Sequence, residues 1–231
     1  MKIFNHLRSD WFRYGFETLA VVVGILIAFA LDNWNDERKH QDLELKTLIE
    51  LKNALVSDLE DIIHNANRHK NAQNSCELLI DYVDRDLPYH DSLARHFGYI
   101  SDITIFVPHI GSYETLKTKG LDLISHDSIR LLLTEYYEED YKLALTVEAL
   151  NLSVIPDVRQ LHYKHFKEWV FLGPAIPHNY ELLKEDREFL SYLKHTASAR
   201  SYESRMFSQR LEPKCRALIH DIEEEIKRRS R

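Results

Sequence analysis

The sequence predicts an all-α protein with one N-terminal transmembrane helix followed by a helical bundle built on long helices. Residues 19–31 form an unbroken apolar run. Beyond Asp36 the apolar residues recur with a period of 3.5 to 3.6 residues, which is typical of helices rather than strands. The 231 residues include only 6 Gly and 6 Pro, too few for the many tight turns of a β-sandwich or barrel. Apolar residues make up 44% of the chain, which excludes a disordered protein.

The first predicted element is a short cytoplasmic tail, residues 1–13. Its apolar residues recur with helical spacing, which predicts an amphipathic helix lying at the inner membrane surface. These residues are Ile3, Phe4, Leu7 and Trp11.

The transmembrane helix is expected over residues 14–34. Thirteen helical residues span about 20 Å, less than the ~30 Å hydrocarbon core, so the flanks must contribute to the span. Tyr14 and Trp34 mark the two interfaces, as aromatic belts do. Residues 35–231 then form the extracytoplasmic, all-helical domain.

A cleaved signal peptide is the alternative to a membrane anchor. Residues 28–30 read Ala-Phe-Ala, an A-x-A cleavage pattern that follows a basic segment and an apolar run. The helical pattern, however, continues into residues 32–34 without a helix breaker, which favours an uncleaved signal anchor. Lys2, Arg8 and Arg13 precede the span and predict a cytoplasmic N-terminus. The expected location is the inner (cytoplasmic) membrane, crossed once, with the C-terminal domain periplasmic or extracytoplasmic.

One face of the span carries small residues. Ala20, Gly24 and Ala28 recur at i, i+4 and i+8, and such a stripe lets another helix approach closely, although chance in an Ala-rich span also accounts for it. Glu17 lies on the same face and is either a functional acid or an interfacial partner of Arg13. These residues predict a transmembrane interface and a homo-oligomer.

A long helix follows the span. Neither Gly nor Pro occurs between Gly24 and Pro88, so one helix is expected to run to about Arg85, with an interruption at 71–74 as an option. A coiled-coil-like stripe of apolar residues over 45–66 would extend the oligomer contact outside the membrane.

The rest of the domain is predicted from turn residues and capping signals. Residues 84–111 are the least regular, with a short extended segment over 99–107. Further helices are expected over about 112–120, from Ser125 or Asp127 to about 151, over 156–169 and over 186–231. Ser112 and Asp186 are the expected N-caps and Gly120 the expected C-cap, while Pro213 bends the last region.

Two stretches carry a family resemblance. They are Glu17 with 23–28 and 33–38 (VGILIA and NWNDER), and then 113–117 (YETLK) with 120–121, 123–125 (LIS) and the pair 136–137. The sequence resembles an uncharacterised bacterial membrane family, domain of unknown function 6090. The resemblance implies one N-terminal span followed by a helical domain, and therefore favours the anchor. It implies no activity and no catalytic residues.

The 13 histidines raise the question of a metal site. Two groups have helical spacing: His162, His165 and Glu168, and Glu60, Asp61 and His64. Zinc and di-iron sites need ligands that converge from several helices, and neither spacing matches H-E-x-x-H. We therefore expect His162 and His165 to lie on a solvated helix face and expect neither metal nor cofactor. Phosphate-binding loops and nucleophile elbows are also missing from the sequence.

Cys76 and Cys215 each lie on an apolar stripe. Two cysteines cannot form a disulfide framework, and buried thiols behave as small hydrophobic groups. We expect the first and last long helices to pack together and to bring these cysteines close. Outside the cytoplasm they can then form a disulfide, which needs a Cα separation of about 5.5 Å.

The functional hypothesis is a membrane-anchored, non-catalytic interaction or assembly module with an unknown protein partner. The net charge of −7 argues against a general nucleic-acid binder. One alternative is an accessory subunit of a transport or ion-coupled complex that uses Glu17. The other is a metal-dependent enzyme that uses His162 and His165.

Overall fold

The computed structural model describes residues 3–229, with side chains over 14–229. Its contacts divide the chain into two units, Met1–Thr47 and Leu48–Arg231. The helices are α1 (Ile3–Asp84), α2 (Leu93–Tyr99), α3 (Gly111–Lys119), α4 (Asp127–Glu135), α5 (Tyr141–Ser153), α6 (Ile155–His165), α7 (Tyr180–Glu185), α8 (Arg187–Arg205) and α9 (Glu212–Arg229). Strands β1 (Phe166–Trp169) and β2 (Ala175–Pro177) form an antiparallel hairpin. The all-α class is therefore confirmed, with one small hairpin added.

The first unit consists of a helix whose apolar side chains are uncovered. The large apolar residues from Tyr14 to Trp34 are between 44% and 73% exposed. By length and composition this helix can cross a membrane, with a mean hydropathy of 2.1 over its most apolar window. The predicted amphipathic face of residues 1–13 lies outside the described side chains.

The second unit is built around the later part of α1. Its stripe is buried within the same chain, at Leu48, Leu51, Leu55 and Ile62, each 0% exposed. Because these residues already pack against α4, α5 and α9, they offer no apolar surface to a second copy. The predicted extension of the oligomer contact along this stripe is therefore wrong.

The last helices run antiparallel to α1, as two hydrogen bonds show. The Ser204 hydroxyl donates to the Ala66 carbonyl at 3.2 Å, and the Cys215 thiol donates to the Leu55 carbonyl at 3.3 Å. The expected packing of the first and last long helices is confirmed.

The predicted proximity of the two cysteines is wrong. Cys76 lies 21 residues beyond Leu55 on α1, about 31 Å along the axis at 1.5 Å per residue, whereas Cys215 contacts Leu55 itself. Both are buried free thiols in separate apolar clusters. Burial raises the pKa of each thiol to about 12, so both stay protonated.

Two π-helical turns interrupt the long helices of the bundle. One, Tyr136–Asp140, joins α4 to α5, and the other, Met206–Leu211, joins α8 to α9. The carboxylate of Asp140, 0% exposed, forms ion pairs with Arg210 and Lys214 and so ties the two turns together. Sequence periodicity predicts continuous helices here because one extra residue barely disturbs an apolar pattern.

Where an extended segment was predicted over 99–107, the structure has the end of α2, a turn and an irregular segment over 102–110, which is held by side chains of α1. The amides of Val107 and His109 donate to the carboxylates of Asp61 (2.9 Å) and Asp58 (2.8 Å). A third amide, that of Phe106, donates to a carboxylate of α5 at 2.9 Å. Carboxylates thus satisfy backbone donors that a neighbouring strand would otherwise satisfy.

The end of α6 differs from its prediction. Pro156 lies in the first turn as expected, but the helix ends at His165 and residues 166–169 form β1. The turn that follows and Pro174 direct the chain back into β2, where Phe166 faces Pro177. The short helices α2 and α7 were also not predicted. Asp186 does cap α8, accepting from the amides of residues 188 and 189, and Gly120 ends α3.

The hairpin and α6 bury a histidine ring. His162 is 1% exposed and lies over Phe166 and Trp169, with ring centroids 5.2 Å and 4.5 Å away. Its Nδ1 donates to the Val158 carbonyl at 2.9 Å. Burial lowers the pKa of His162, and the neighbouring His165 acts in the same direction.

The ion pairs of Asp140 predict a stability effect. Asp140→Asn should lower the free energy of unfolding by about 1–3 kcal/mol, because two cations lose their buried partner. Denaturant unfolding followed by circular dichroism measures this change. Glu139→Gln, at an exposed neighbouring position, is the matched control, and equal stability of the two variants would contradict the role of Asp140.

The buried His162 predicts a pH effect. Because its pKa is lower in the folded than in the unfolded state, the unfolded state binds more protons, and stability falls as pH drops below about 6.5. His162→Phe keeps the ring contacts and should flatten this part of the stability profile between pH 5 and 7. His220→Phe, at an exposed position, should leave the profile unchanged. A profile of equal slope in His162→Phe and the wild type would argue against a buried neutral imidazole.

Candidate functional site

The second unit contains a cavity of about 490 Å³, within the range of small-molecule sites. The start of α6, the hairpin, α8 and the chain after α2 surround it. Its walls are mainly apolar, and they include Ile103, Val154, Val158, Leu161, Trp169 and Leu172.

Backbone packing sets the position of the hairpin wall. A Cβ atom on Gly98 of α2 would lie 1.9 Å from the Gly173 carbonyl oxygen, so only glycine permits this contact. Leu172 adopts a left-handed conformation with φ of 54°, uncommon for a residue with a side chain. The adjacent Phe171 is 85% exposed at the cavity edge. The turn of the hairpin therefore keeps the side chains of Phe171 and Leu172 exposed, although apolar side chains favour burial.

One end of the cavity is polar and is organised by Arg200 of α8. Its guanidinium donates to the Glu203 carboxylate at 3.1 Å and to the Asp102 carbonyl at 2.8 Å. It also lies 3.2 Å from Nδ1 of His69 on α1. The Asn151 amide donates to the other Glu203 oxygen at 2.7 Å. Residues from α1, α5 and α8 thus meet at one carboxylate.

Glu203 is 3% exposed yet ionised. Burial alone would raise its pKa, but the hydrogen bond and charge of His69, together with Arg200, hold the pKa below its ordinary value. A second ion pair lies beside the first, between Arg68 and the carboxylate of Asp102. At this end of the cavity two carboxylates are therefore each paired with a guanidinium group.

Two hydroxyl groups of the cavity lining contact backbone carbonyls. The Ser101 hydroxyl donates to the Gly98 carbonyl at 3.2 Å rather than to a histidine or carboxylate. The Tyr192 hydroxyl donates to the Ile100 carbonyl at 3.4 Å, and its pKa is raised to about 12, chiefly by burial. Neither hydroxyl has the neighbouring base that activates a nucleophile.

The predicted transmembrane interface lies in the first unit. Glu17, Ala20, Gly24 and Ala28 are all exposed within the chain. A Cβ atom on Gly24 would meet nothing within 4 Å. The interface therefore remains a prediction that concerns a second molecule.

The histidines considered for a metal site have other roles. Over residues 14–229, no group of three or more His, Cys, Asp and Glu side chains lies close enough to hold a metal ion. The expected solvated face is wrong for His162, which is buried, and for His165, whose ring pairs with Asp186 at 3.1 Å. In the other group, Asp61 accepts a hydrogen bond from the Val107 amide of the irregular segment 102–110, while Glu60 and His64 are exposed.

Sequence reasoning missed the polar end of the cavity. Arg200 and Glu203 are spaced i, i+3 on one helix, which is the ordinary pattern of a surface ion pair. Their other partners, His69 and Asn151, are far away in sequence. Only the antiparallel packing of α1 and α8 brings them together, so no local signal identified the cluster.

Residues of the second stretch that carries the family resemblance contact one another in the bundle. Tyr113 of α3 stacks on Tyr137 with ring centroids 4.3 Å apart. Lys117 lies 5.6 Å from the centre of the Tyr113 ring and pairs with Glu138 at 2.7 Å. This second stretch therefore fixes α3 against the π-helical turn after α4.

Comparisons with known proteins identify the family and no individual relative. A family model described as a family of unknown function, DUF6090, matches residues 17–168. No curated protein and no solved structure matches the chain. The match spans more than half of the chain, from the apolar helix through α6 to the start of the hairpin. The chain therefore belongs to the DUF6090 family, as its sequence motifs indicated.

Proposed function

We propose that the chain is a single-span inner-membrane protein whose extracytoplasmic helical domain is a non-catalytic interaction module. The observation that carries the proposal is the uncovered apolar surface of residues 14–34. Full burial of a large apolar side chain contributes about 1.5–3 kcal/mol, so a helix of this kind strongly favours lipid over water. Because the described part of the chain buries none of it, a membrane is the natural environment.

The proposed orientation follows from the basic residues before the span. Lys2, Arg8 and Arg13 precede the apolar run, whereas Asp32, the first charged residue after it, is acidic. Basic residues are retained on the cytoplasmic side. The helical domain is then periplasmic, where it can contact other envelope components.

A binding role is favoured over catalysis by the cavity. Its walls are mainly apolar and Arg200 and Glu203 at its polar end are paired, while the Ser101 and Tyr192 hydroxyls contact backbone carbonyls. These features provide recognition without an activated acid, base or nucleophile.

Self-association through the membrane helix is the second part of the proposal. Lipid is as apolar as the side chains of the helix, so helices associate in membranes by close packing rather than by hydrophobicity. Ala20, Gly24 and Ala28 allow this close packing, and the structure leaves open space around Gly24. The contact is confined to the membrane, because the later stripe of α1 is buried in its own domain.

The anchor and its orientation give a first prediction. In a bacterial host, the full chain should stay with membranes during alkaline carbonate extraction. Alkaline phosphatase fused after Arg231 should be active, and green fluorescent protein at the same position should not be. Release of the protein by carbonate, or a mature N-terminus at Leu31 by mass spectrometry, would contradict the anchor. The opposite reporter pattern would contradict the orientation.

The small-residue stripe gives a second prediction. Gly24→Leu should reduce the crosslinked dimer in membranes at least about tenfold, corresponding to roughly 1.4 kcal/mol of lost association energy. Gly15→Leu is a matched control, because Gly15 also has open space around it and lies two and a half turns away, on the opposite face. Equal dimer yields in the two variants would exclude the proposed interface.

A further inference from the structure

The cavity of the second unit has the two-part lining of a site for an amphipathic small molecule. Val158 and Leu161 of α6 and Trp169 of the hairpin form apolar walls, and Arg200 lies at the polar end. Such sites combine a mainly apolar lining with a few polar groups that fix the orientation of the ligand.

The polar end offers both donors and acceptors to a ligand. Arg200 has five N–H groups, and its contacts with Glu203 and Asp102 engage two of them. Asn151, which also lines the cavity, donates to Glu203 through its nitrogen, so its amide oxygen is not used in this contact. A head group that both accepts and donates hydrogen bonds matches this arrangement.

The two ion pairs at this end disfavour a charged head group. An anionic head beside Arg200 would also lie near the carboxyl groups of Glu203 and Asp102, which are paired with Arg200 and Arg68. A cationic head beside Glu203 would likewise meet Arg200 and Arg68. In a partly buried site these repulsions are not screened by water as they are on a surface. An uncharged head group avoids both.

The mouth of the cavity provides further apolar contact. Phe171 and Leu172 are exposed at the turn of the hairpin, and Leu172 is held in a left-handed conformation. Strained residues that remain in place cluster at ligand clamps and binding loops. An apolar chain extending from the cavity would cover these side chains.

We propose that this cavity binds an uncharged amphiphile, with its apolar chain between α6 and the hairpin and an amide or hydroxyl head at Arg200 and Asn151. The inference concerns the second unit and is independent of the membrane anchor and of self-association. It adds a small-molecule site to the proposed interaction module.

The test uses the full chain in lipid nanodiscs, with Trp11→Phe and Trp34→Phe so that Trp169 is the only tryptophan and can be excited selectively at about 295 nm. The probes are octanamide, octanoate and octylammonium, which share one chain length and differ in head-group charge. Octanamide should change the Trp169 emission saturably, and each ion should bind at least about tenfold more weakly.

Variants of the cavity lining and a matched control show whether the fluorescence change comes from binding in the cavity. Ala199→Phe fills the cavity and should abolish octanamide binding, whereas Ser198→Phe, at the exposed neighbouring position, should preserve it. Val158→Phe, on the opposite wall, repeats the test if Ala199→Phe does not fold by circular dichroism. Glu203→Gln leaves Arg200 without its carboxylate and should shift the preference to octanoate at least about tenfold.

Three results would overturn the proposal. They are the absence of a saturable response to any probe, a preference of the wild type for a charged probe, and equal octanamide responses in Ser198→Phe and Ala199→Phe. The last result would assign the signal to partitioning into the nanodisc lipid. Retention of the amide preference in Glu203→Gln would reject the role of the ion pairs.

Discussion

The second unit depends on the burial of one apolar stripe of α1. Leu48, Leu51, Leu55 and Ile62 are fully removed from solvent, and they form one core with apolar residues of α3, α4, α5 and α9. Apolar burial has no direction, so it explains compactness but not register. The register comes from polar contacts along the same helix, among them the hydrogen bonds to the Leu55 and Ala66 carbonyls.

Buried charge performs two different tasks in this bundle. Asp58 and Asp61 accept hydrogen bonds from the backbone of the irregular segment 102–110, and Asp140 joins the two π-helical turns through ion pairs. Glu203 instead gathers side chains from three helices at the end of a cavity. In the first task the carboxylates bond to other parts of the fold and stabilise it. In the second, groups around the carboxylate still face a space that a ligand can enter.

The sequence was sufficient for the long elements and insufficient for the site. Periodicity and the lack of Gly and Pro identify α1, while Asp186 and Gly120 identify helix ends, because these signals are local. The hairpin was missed because residues 166–169 follow a helix and carry too short an alternation to indicate a strand. The prediction that Cys76 and Cys215 lie close together failed because of register. Periodicity indicates which faces of two helices pack together, but not which turn of one helix lies opposite which turn of the other. The Glu203 cluster depends on that same register, so it had no sequence signature.

The paired π-helical turns have a consequence for how the length of this chain can change. Each residue of an α-helix rotates the helix by about 100°, so a single deletion in α8 would turn Cys215, Leu218 and Ile222 away from α1. A π-helical turn absorbs one surplus residue locally and leaves the following helix in place. The turns at Tyr136–Asp140 and Met206–Leu211 are therefore the positions where a related chain can differ in length by one residue and keep the same core. Because Asp140 joins the two turns, a change of length in one alters the surroundings of the other.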